Sequence, residues 1–151
     1  MLELAREADW EAIHRLSLQV HNLHTGWRPD IYCNCDEPYP REAFLEDIAR
    51  RQVYVAKLGD AVIGYALFSL SREEHAGLTP KKVMTLYTIC VEESFRRQGF
   101  GRSMAADIRA LARAFRCQEI RLCIHPENDG AVAFCQKCGF MIRAIQMDMQ
   151  L

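Results

Sequence analysis

The spacing of apolar and polar positions predicts an alternation of strands and helices from the start of the chain. Residues 2–5 alternate as a short strand does, and Trp10, Ile13 and Leu16 then fall on one face of a helix that runs to about His21. The periodicity fails from residue 22 to residue 39. This predicts a long loop before a second helix that begins around Pro40.

The rest of the chain continues the alternation to its last residues. Residues 52–57 and 61–70 flank a turn and predict a β-hairpin, and a third strand is predicted near residues 82–91. A glycine-containing loop then leads into a helix, which is followed by a strand at 119–124, a helix at 131–137 and a closing strand at 140–149. The order β-α-α-β-β-β-α-β-α-β predicts an α/β fold with one mixed, mostly antiparallel sheet and helices on both faces.

Composition narrows the class of protein. The 151 residues are 50% hydrophobic and 26% charged, which is typical of one globular domain over residues 1–151. The formal net charge of -1 gives no long-range attraction to nucleic acid or to an anionic membrane, so neither partner is expected. No signal peptide is recognised, and the seven cysteines are an odd number, so we expect a cytoplasmic protein with reduced thiols.

The loop between the third strand and the following helix carries the strongest chemical signal. It reads Arg96-Arg97-Gln98-Gly99-Phe100-Gly101-Arg102-Ser103. Unpaired backbone N–H groups and the helix dipole form an anion site at such a junction, and glycine lets the backbone approach a phosphate closely. A turn with solvated arginines is the alternative interpretation.

Together with its flanks, this loop resembles the GNAT superfamily of acyl-CoA-dependent N-acyltransferases. The resemblance rests on three segments, which are Leu86 to Val91, the Arg-x-x-Gly-x-Gly pattern of residues 96–101, and Asn128 followed by the Phe-x-x-Lys-x-Gly-Phe pattern of residues 134–140. It implies transfer of an acetyl group from acetyl-CoA to a primary amine by direct attack in a ternary complex, without a metal. The residues implied to hold acetyl-CoA are Ile89, Cys90, Val91, Arg96, Arg97, Gln98, Gly99, Phe100, Gly101, Arg102, Ser103, Asn128 and Phe134. An ordinary helix cap is the alternative for Asn128, and core packing is the alternative for Phe134.

The polar groups that relatives use for catalysis are replaced in this chain. Cys135 stands where the family often has a tyrosine that protonates the leaving thiolate, and a thiol is a weak hydrogen-bond donor. Two positions at which relatives carry a general base are Thr85 and Cys123. The remaining candidates are Tyr87 and His125, which share a strand face with those positions, and a bound water could also accept the proton.

The acceptor is expected at the first long loop, where the family's acceptor-binding segments lie. The candidate residues are His21, His24, Trp27 and Tyr32. A packed surface loop is the alternative interpretation.

Two rival functions stay open. A regulatory module that binds CoA without turnover would explain the replaced catalytic groups. A zinc or thiol-redox protein would use Cys33 with Cys35, or Cys135 with Cys138, although the spacing of the first pair is unusual and the second pair lies in a helical pattern. The sequence leaves open whether the chain forms a homodimer.

Overall fold

Five strands and four helices make up the computed structural model, which describes all 151 residues. The strands are β1 (Leu2–Leu4), β2 (Val53–Leu58), β3 (Ala61–Glu73), β4 (Lys81–Val91) and β5 (Glu119–Leu122). The helices are α1 (Trp10–Trp27), α2 (Arg41–Ala49), α3 (Phe100–Ala114) and α4 (Asp129–Lys137), with short 3-10 turns at Glu7–Asp9 and Glu93–Phe95. None of the four helices combines the length and the apolar composition needed to cross a membrane.

The strands form a single sheet in the order β1-β2-β3-β4-β5. Neighbours are antiparallel except for β4 and β5, which are parallel because α3 crosses over between them. The predicted mixed and mostly antiparallel sheet is therefore confirmed.

Helices cover both faces of the sheet, as predicted. Alternate residues of β2 point to opposite sides, so Val53 and Val55 pack with α1 and α2, whereas Tyr54 and Ala56 pack on the side of α3. The α1 side is buried around Ile13, Leu16 and Phe44, and the α3 side around Met104, Ile108 and Ala112. In both cores the buried residues of a helix are three or four positions apart, which places them on one face of that helix.

The first helix is longer than the sequence pattern indicates. The prediction that it ends near His21 is wrong, since α1 continues to Trp27 and the loop before α2 is correspondingly shorter. The added turns lack an apolar stripe, but His24 stacks on Tyr32 with ring centroids 5.1 Å apart. Packing against the loop therefore stabilises turns that periodicity alone does not predict.

The predicted closing strand at 140–149 is also wrong. Residues 141–151 make no backbone hydrogen bond, and the last one in the chain joins the Phe140 amide to the Cys135 carbonyl. The alternation of apolar side chains is present, but a strand also needs a hydrogen-bonded neighbour. No segment of this chain pairs with it.

Candidate active site

A gap opens where β4 and β5 separate. The two strands pair from Val83 with Glu119 to Leu86 with Leu122, after which β4 continues to Val91 without β5 beside it. Tyr87 is an extra residue in β4 with no partner on β3, so the strand bulges where its pairing with β5 ends. Ligands commonly bind beyond the carboxyl ends of parallel strands, and this gap lies at such a position.

The loop that follows leaves six consecutive backbone N–H groups without an acceptor in the protein. These amides belong to residues 97–102, whereas the Arg96 amide donates to the Glu93 carbonyl at 3.2 Å and the Ser103 amide to the Gly99 carbonyl at 3.1 Å. The six amides precede and open α3, where the helix dipole adds positive potential. The arrangement can hold a phosphate or pyrophosphate group.

Backbone conformation and side-chain braces shape this loop. Arg97 and Gly99 both adopt left-handed conformations, with φ of 63° and 92°. The Arg96 guanidinium donates to the Val91 carbonyl at 3.1 Å, and the side-chain amide of Gln98 donates to the Ser94 carbonyl at 3.1 Å. Arg97 and Arg102 have no ion-pair or hydrogen-bond partner for their side chains, so both guanidinium groups are available to an anion.

The loop meets α4 at a position without a side chain. A Cβ placed on Gly101 would lie 3.4 Å from the Phe134 ring and 4.0 Å from Val91. These three predicted residues are thus brought together between β4, α3 and α4. Asn128 begins α4 and accepts a hydrogen bond from the Ala131 amide at 3.1 Å, which is the helix cap considered above.

An apolar cavity of about 210 Å³ lies between α3, α4 and the two parallel strands. Its walls include Ile89, Leu122, Phe134, Cys135 of α4 and Cys138, which follows that helix. Cys135 is buried, and burial raises the pKa of its thiol, with a smaller contribution from Cys138. The thiol of Cys135 therefore stays protonated at neutral pH.

A second group of predicted residues gathers beyond the end of β5. The Tyr32 hydroxyl and His125 Nε2 lie 2.7 Å apart, and both rings contact His24. His21 Nε2 lies 2.8 Å from the Cys33 carbonyl oxygen, and Trp27 packs beside His24. Burial lowers the pKa of His24, and the nearby His125 and His21 lower it further, so His24 is neutral at pH 7.

Carboxylates surround a single arginine at the edge of this aromatic group. Arg28 donates to Asp30 through two nitrogens at 2.9 and 2.7 Å, and it lies 3.9 Å from Glu127 and 3.7 Å from Asp148. The hydrogen bond from Arg28 lowers the pKa of Asp30, so this carboxylate is ionised at neutral pH. With three carboxylates against one guanidinium, the local charge favours a cationic ligand.

Tyr87 lies apart from the other candidate catalytic residues. The Tyr87 hydroxyl bonds to Ser69 at 2.9 Å on an exposed part of the sheet, and none of its contacts reaches His125.

Sequence reasoning missed Gln19, which donates to the Val91 carbonyl at 3.4 Å and accepts from the Glu93 amide at 3.1 Å. A polar residue on a helix is normally solvated, so nothing in the sequence indicates that Gln19 braces the end of β4.

The cysteines form no metal site with their neighbours. No group of three or more His, Cys, Asp and Glu side chains has a geometry that could hold a metal ion. Cys33 and Cys35 are exposed, and all seven cysteines are free. The zinc hypothesis thus has no ligand set in this structure.

Comparison with known proteins decides the family. The model of the Acetyltransferase (GNAT) family matches residues 6–140. The chain belongs to the GNAT acetyltransferase family. This confirms the resemblance carried by the Arg-x-x-Gly-x-Gly loop and supports an enzyme of the acyltransferase class.

Curated relatives match part of the chain in sequence. The chain is 26% identical over 106 residues to the uncharacterized N-acetyltransferase YvbK of Bacillus subtilis, a match that covers 70% of this chain and 63% of YvbK. Another curated relative, from Mycobacterium leprae, is matched over only 28% of its length, so these relatives extend well beyond the matched region.

Solved structures match the whole chain. A mutant of the BH1408 protein of Bacillus halodurans is similar with a TM-score of 0.95 and 24% identity, covering 100% of this chain and 99% of that one. The aminoglycoside N-acetyltransferase AAC(6')-Iy, solved in complex with CoA, is similar with a TM-score of 0.72 and 20% identity, covering 100% and 93%. At these identities the two structures establish the fold alone.

Proposed function

We propose that this GNAT protein is an N-acetyltransferase that moves an acetyl group from acetyl-CoA to a primary amine by direct attack in a ternary complex. The observation that carries the proposal is the run of six backbone amides, residues 97–102, at the start of α3 and beside the gap between β4 and β5. A pyrophosphate bound there would leave the pantetheine arm to enter the gap along Ile89 and Val91. The match to GNAT structures, one of which contains CoA, supports this assignment.

The acceptor is assigned to the aromatic group beyond β5. A primary amine reaches the enzyme as an ammonium ion, and the carboxylates Asp30, Glu127 and Asp148 favour a cation at this edge. The amine must lose a proton before or during attack on the thioester carbonyl. Tyr32 and His125 lie within hydrogen-bond distance of each other there and can relay a proton between them.

Proton transfer through this pair balances simply. The amine proton passes to the Tyr32 oxygen while the Tyr32 proton passes to Nε2 of His125, which becomes an imidazolium. The amine nitrogen forms a bond to the acetyl carbon, and the bond from that carbon to the CoA sulfur breaks. The nitrogen loses its second proton to water as the tetrahedral adduct collapses to the amide. The leaving thiolate takes a proton from water in turn, since the thiol of Cys135 is a weak donor.

The test is release of free CoA thiol in a screen of small amines and peptides, run beside measurements of acetyl-CoA affinity. Gly101→Glu places a carboxylate among the loop amides, so we expect it to abolish acetyl-CoA binding and turnover. Gly101→Ala is the matched control, because its added Cβ would make only ordinary contacts with Phe134. It should retain binding within about threefold.

Two outcomes would contradict the proposal. Undiminished acetyl-CoA affinity in a folded Gly101→Glu protein would remove the loop from the site. Tight binding of acetyl-CoA with no thiol release for any acceptor would favour the regulatory module that binds CoA without catalysis.

A further inference from the structure

The chain leaves the sheet at the end of β4, a few residues before the loop whose amides are proposed to hold the pyrophosphate. The Glu92 amide donates to the Ile63 carbonyl at 2.8 Å, and the backbone makes no contact with β3 beyond this point. Arg97 then has φ of 63°, a left-handed conformation that a residue with a side chain rarely adopts. A strained conformation persists only where its surroundings hold it. The contacts that hold residues 91–96 therefore determine the shape of the loop.

The side chain of Gln19 on α1 holds the chain at this point of departure. Its Nε2 donates to the Val91 carbonyl at 3.4 Å and to Cys90 Sγ at 3.7 Å. Its Oε1 accepts from the Glu93 amide at 3.1 Å. Glu93 opens the 3-10 turn Glu93–Phe95, and the first amide of a helical turn has no acceptor within that turn. One side chain thus fixes both the end of the strand and the start of the turn.

Helix α1 gives this side chain a firm base. Leu16, three residues before Gln19, is buried, and so is Ile13 one turn earlier. Gln19 itself is half-buried, so its hydrogen bonds are partly shielded from water. The other contact from α1 to this segment joins the exposed Arg15 guanidinium to Glu92 at 3.4 Å, where solvent weakens the attraction. Gln19 is therefore the stronger of the two links.

Val91 connects the Gln19 brace to the loop. Its carbonyl also accepts from the Arg96 guanidinium at 3.1 Å, just before the loop amides begin. Its side chain lies 4.0 Å from the position that a Cβ on Gly101 would take, near the other end of the loop. A shift of Val91 would therefore move the loop amides relative to the gap between β4 and β5. Amides that hold a phosphate must all point at the same place.

We infer that Gln19 is a positioning residue for the cofactor, which keeps Val91 and the following turn where the amides of residues 97–102 can bind the pyrophosphate of acetyl-CoA. It acts through Val91 and Glu93, since its donors and its acceptor are already engaged with the protein. The apparent Kd of a ligand rises by the factor by which the binding-competent fraction of the protein falls. This inference rests on the proposed function, because it needs acetyl-CoA on the loop.

Two matched variants test whether the brace acts on the cofactor. Gln19→Met keeps the length of the side chain and removes its hydrogen bonds, so we expect the Kd of acetyl-CoA to rise by about 5–30-fold. Gln118→Met is the control, because Gln118 accepts from the Lys82 amide at 2.6 Å and donates to the Arg116 carbonyl at 2.9 Å, at the opposite end of β4. It should keep the Kd within about twofold of wild type, although both variants lower Tm. Isothermal titration calorimetry and thermal melts give these values.

Fragments of the cofactor separate loop positioning from a general loss of structure. ADP carries a pyrophosphate without the pantetheine arm, and S-acetylpantetheine carries the arm without the pyrophosphate. Gln19→Met should weaken ADP by about the same factor as acetyl-CoA and leave S-acetylpantetheine within about twofold of its wild-type affinity. A protein that is merely less stable would weaken both fragments or neither. Competition with acetyl-CoA measures both affinities.

A second variant keeps the test decisive if Gln19→Met does not fold, which circular dichroism would show. Gln19→Glu has nearly the same shape and keeps the acceptor for the Glu93 amide, but it loses the donor to the Val91 carbonyl. We expect it to raise the Kd of acetyl-CoA at least about threefold.

Three results would overturn the role of Gln19. They are an unchanged Kd in a folded Gln19 variant, an equal loss of affinity in the Gln118→Met control, and an equal loss for the two cofactor fragments. In each case a wild-type protein that binds acetyl-CoA leaves the proposed function standing. A wild-type protein with no affinity for acetyl-CoA would instead remove the proposed function, and this inference with it.

Discussion

Tyr32 and His125 are 93 positions apart in the chain, yet their polar atoms lie 2.7 Å apart. Tyr32 follows the extended first helix, and His125 follows β5, so the pair joins the loop of one face to the end of the last strand. His24 packs against both rings and is neutral, which keeps a positive charge away from a group that must accept a proton. The geometry thus suits a hydroxyl that passes a proton to an imidazole.

The relay predicts that Tyr32 and His125 act as one unit. His125→Ala should lower kcat by about 10²–10⁴-fold, and Tyr32→Phe should lower it by a similar factor because the relay is broken at either residue. The double variant should be no slower than the slower single variant. Steady-state kinetics would check this, with acetyl-CoA affinity measured separately and expected to stay near the wild-type value.

Tyr87 is the competing candidate for the general base. If Tyr87→Phe removes activity while Tyr32→Phe does not, Tyr87 on β4 accepts the amine proton and the relay through Tyr32 is wrong. Fully multiplicative effects of Tyr32→Phe and His125→Ala would also contradict a shared proton path.

Cys135 tests how the leaving thiolate is protonated. Its thiol is held protonated by burial, but it is a weak donor, and a CoA thiolate leaves readily near neutral pH. We expect Cys135→Ala to lower kcat less than about tenfold, well below the loss that follows removal of a required general acid. Cys138→Ala, in the same cavity wall, is the matched control. A Cys135→Ala enzyme that binds acetyl-CoA normally but is inactive would make the thiol a required catalytic group.

At the level of elements, the ends of β3, β4 and β5 are joined by an ionic network. Arg121 on β5 bonds to Glu73 on β3, with one contact at 2.7 Å, and also to Glu119. Lys81 at the start of β4 bonds to Glu119 at 2.6 Å. The network holds the parallel pair together at the end opposite the gap, so the strands separate only where the site lies.

The network predicts a stability change in acid. The hydrogen bonds from Arg121 and Lys81 lower the pKa of Glu119 from about 4.5 to about 2. A lowered carboxyl pKa adds stability above the ordinary value, and that stability is lost as the pH falls from 4.5 towards 2. Glu119→Gln should therefore lower Tm at pH 7, with the difference from wild type shrinking over that range.

Thermal melts across pH would measure this difference. Glu46→Gln on α2 removes one exposed pair with Arg50 and should change Tm little at any pH. A constant gap between wild type and Glu119→Gln from pH 7 to pH 2 would contradict the role of the ionised carboxylate.

The sequence predicts the helices and strands whose formation depends on residues close together in the chain. The prediction fails where contacts with distant residues determine whether a helix or strand forms. The path from β4 through the glycine loop to α3 is predicted because strand alternation, glycines and a helical stripe all lie within that segment. The last turns of α1 and the unpaired 141–151 segment are mispredicted because one depends on Tyr32 and the other on a missing hydrogen-bonded neighbour. For the same reason the sequence nominates candidate residues one at a time, whereas the contact of Tyr32 with His125 and the brace by Gln19 depend on distant segments and cannot be predicted from it.

Across the whole molecule, the two faces of the sheet carry different parts of the proposed reaction. The loop amides, Phe134 and the apolar cavity lie with α3 and α4, whereas His24 and Tyr32 lie with α1 and the loop after it. The gap between β4 and β5 connects the two sides. In α4 only Cys135 is buried, so few core contacts hold this helix.

The separation of the cofactor loop from the aromatic group predicts in which segments bound acetyl-CoA slows the exchange of backbone amide hydrogens. A cofactor that reaches from the loop amides to Phe134 and Asn128 ties α4 to α3, so opening of α4 must also break cofactor contacts. At a concentration of 100 times Kd, exchange that requires cofactor release should slow by up to about 100-fold, and we expect this in residues 97–104 and in α4. The helices α1 and α2 should change little until an acceptor is added. Hydrogen–deuterium exchange with mass spectrometry measures each segment, and Gly101→Glu should show no protection in any of them. Protection centred on α2, or an α4 that exchanges equally fast with and without acetyl-CoA, would place the cofactor elsewhere on the fold.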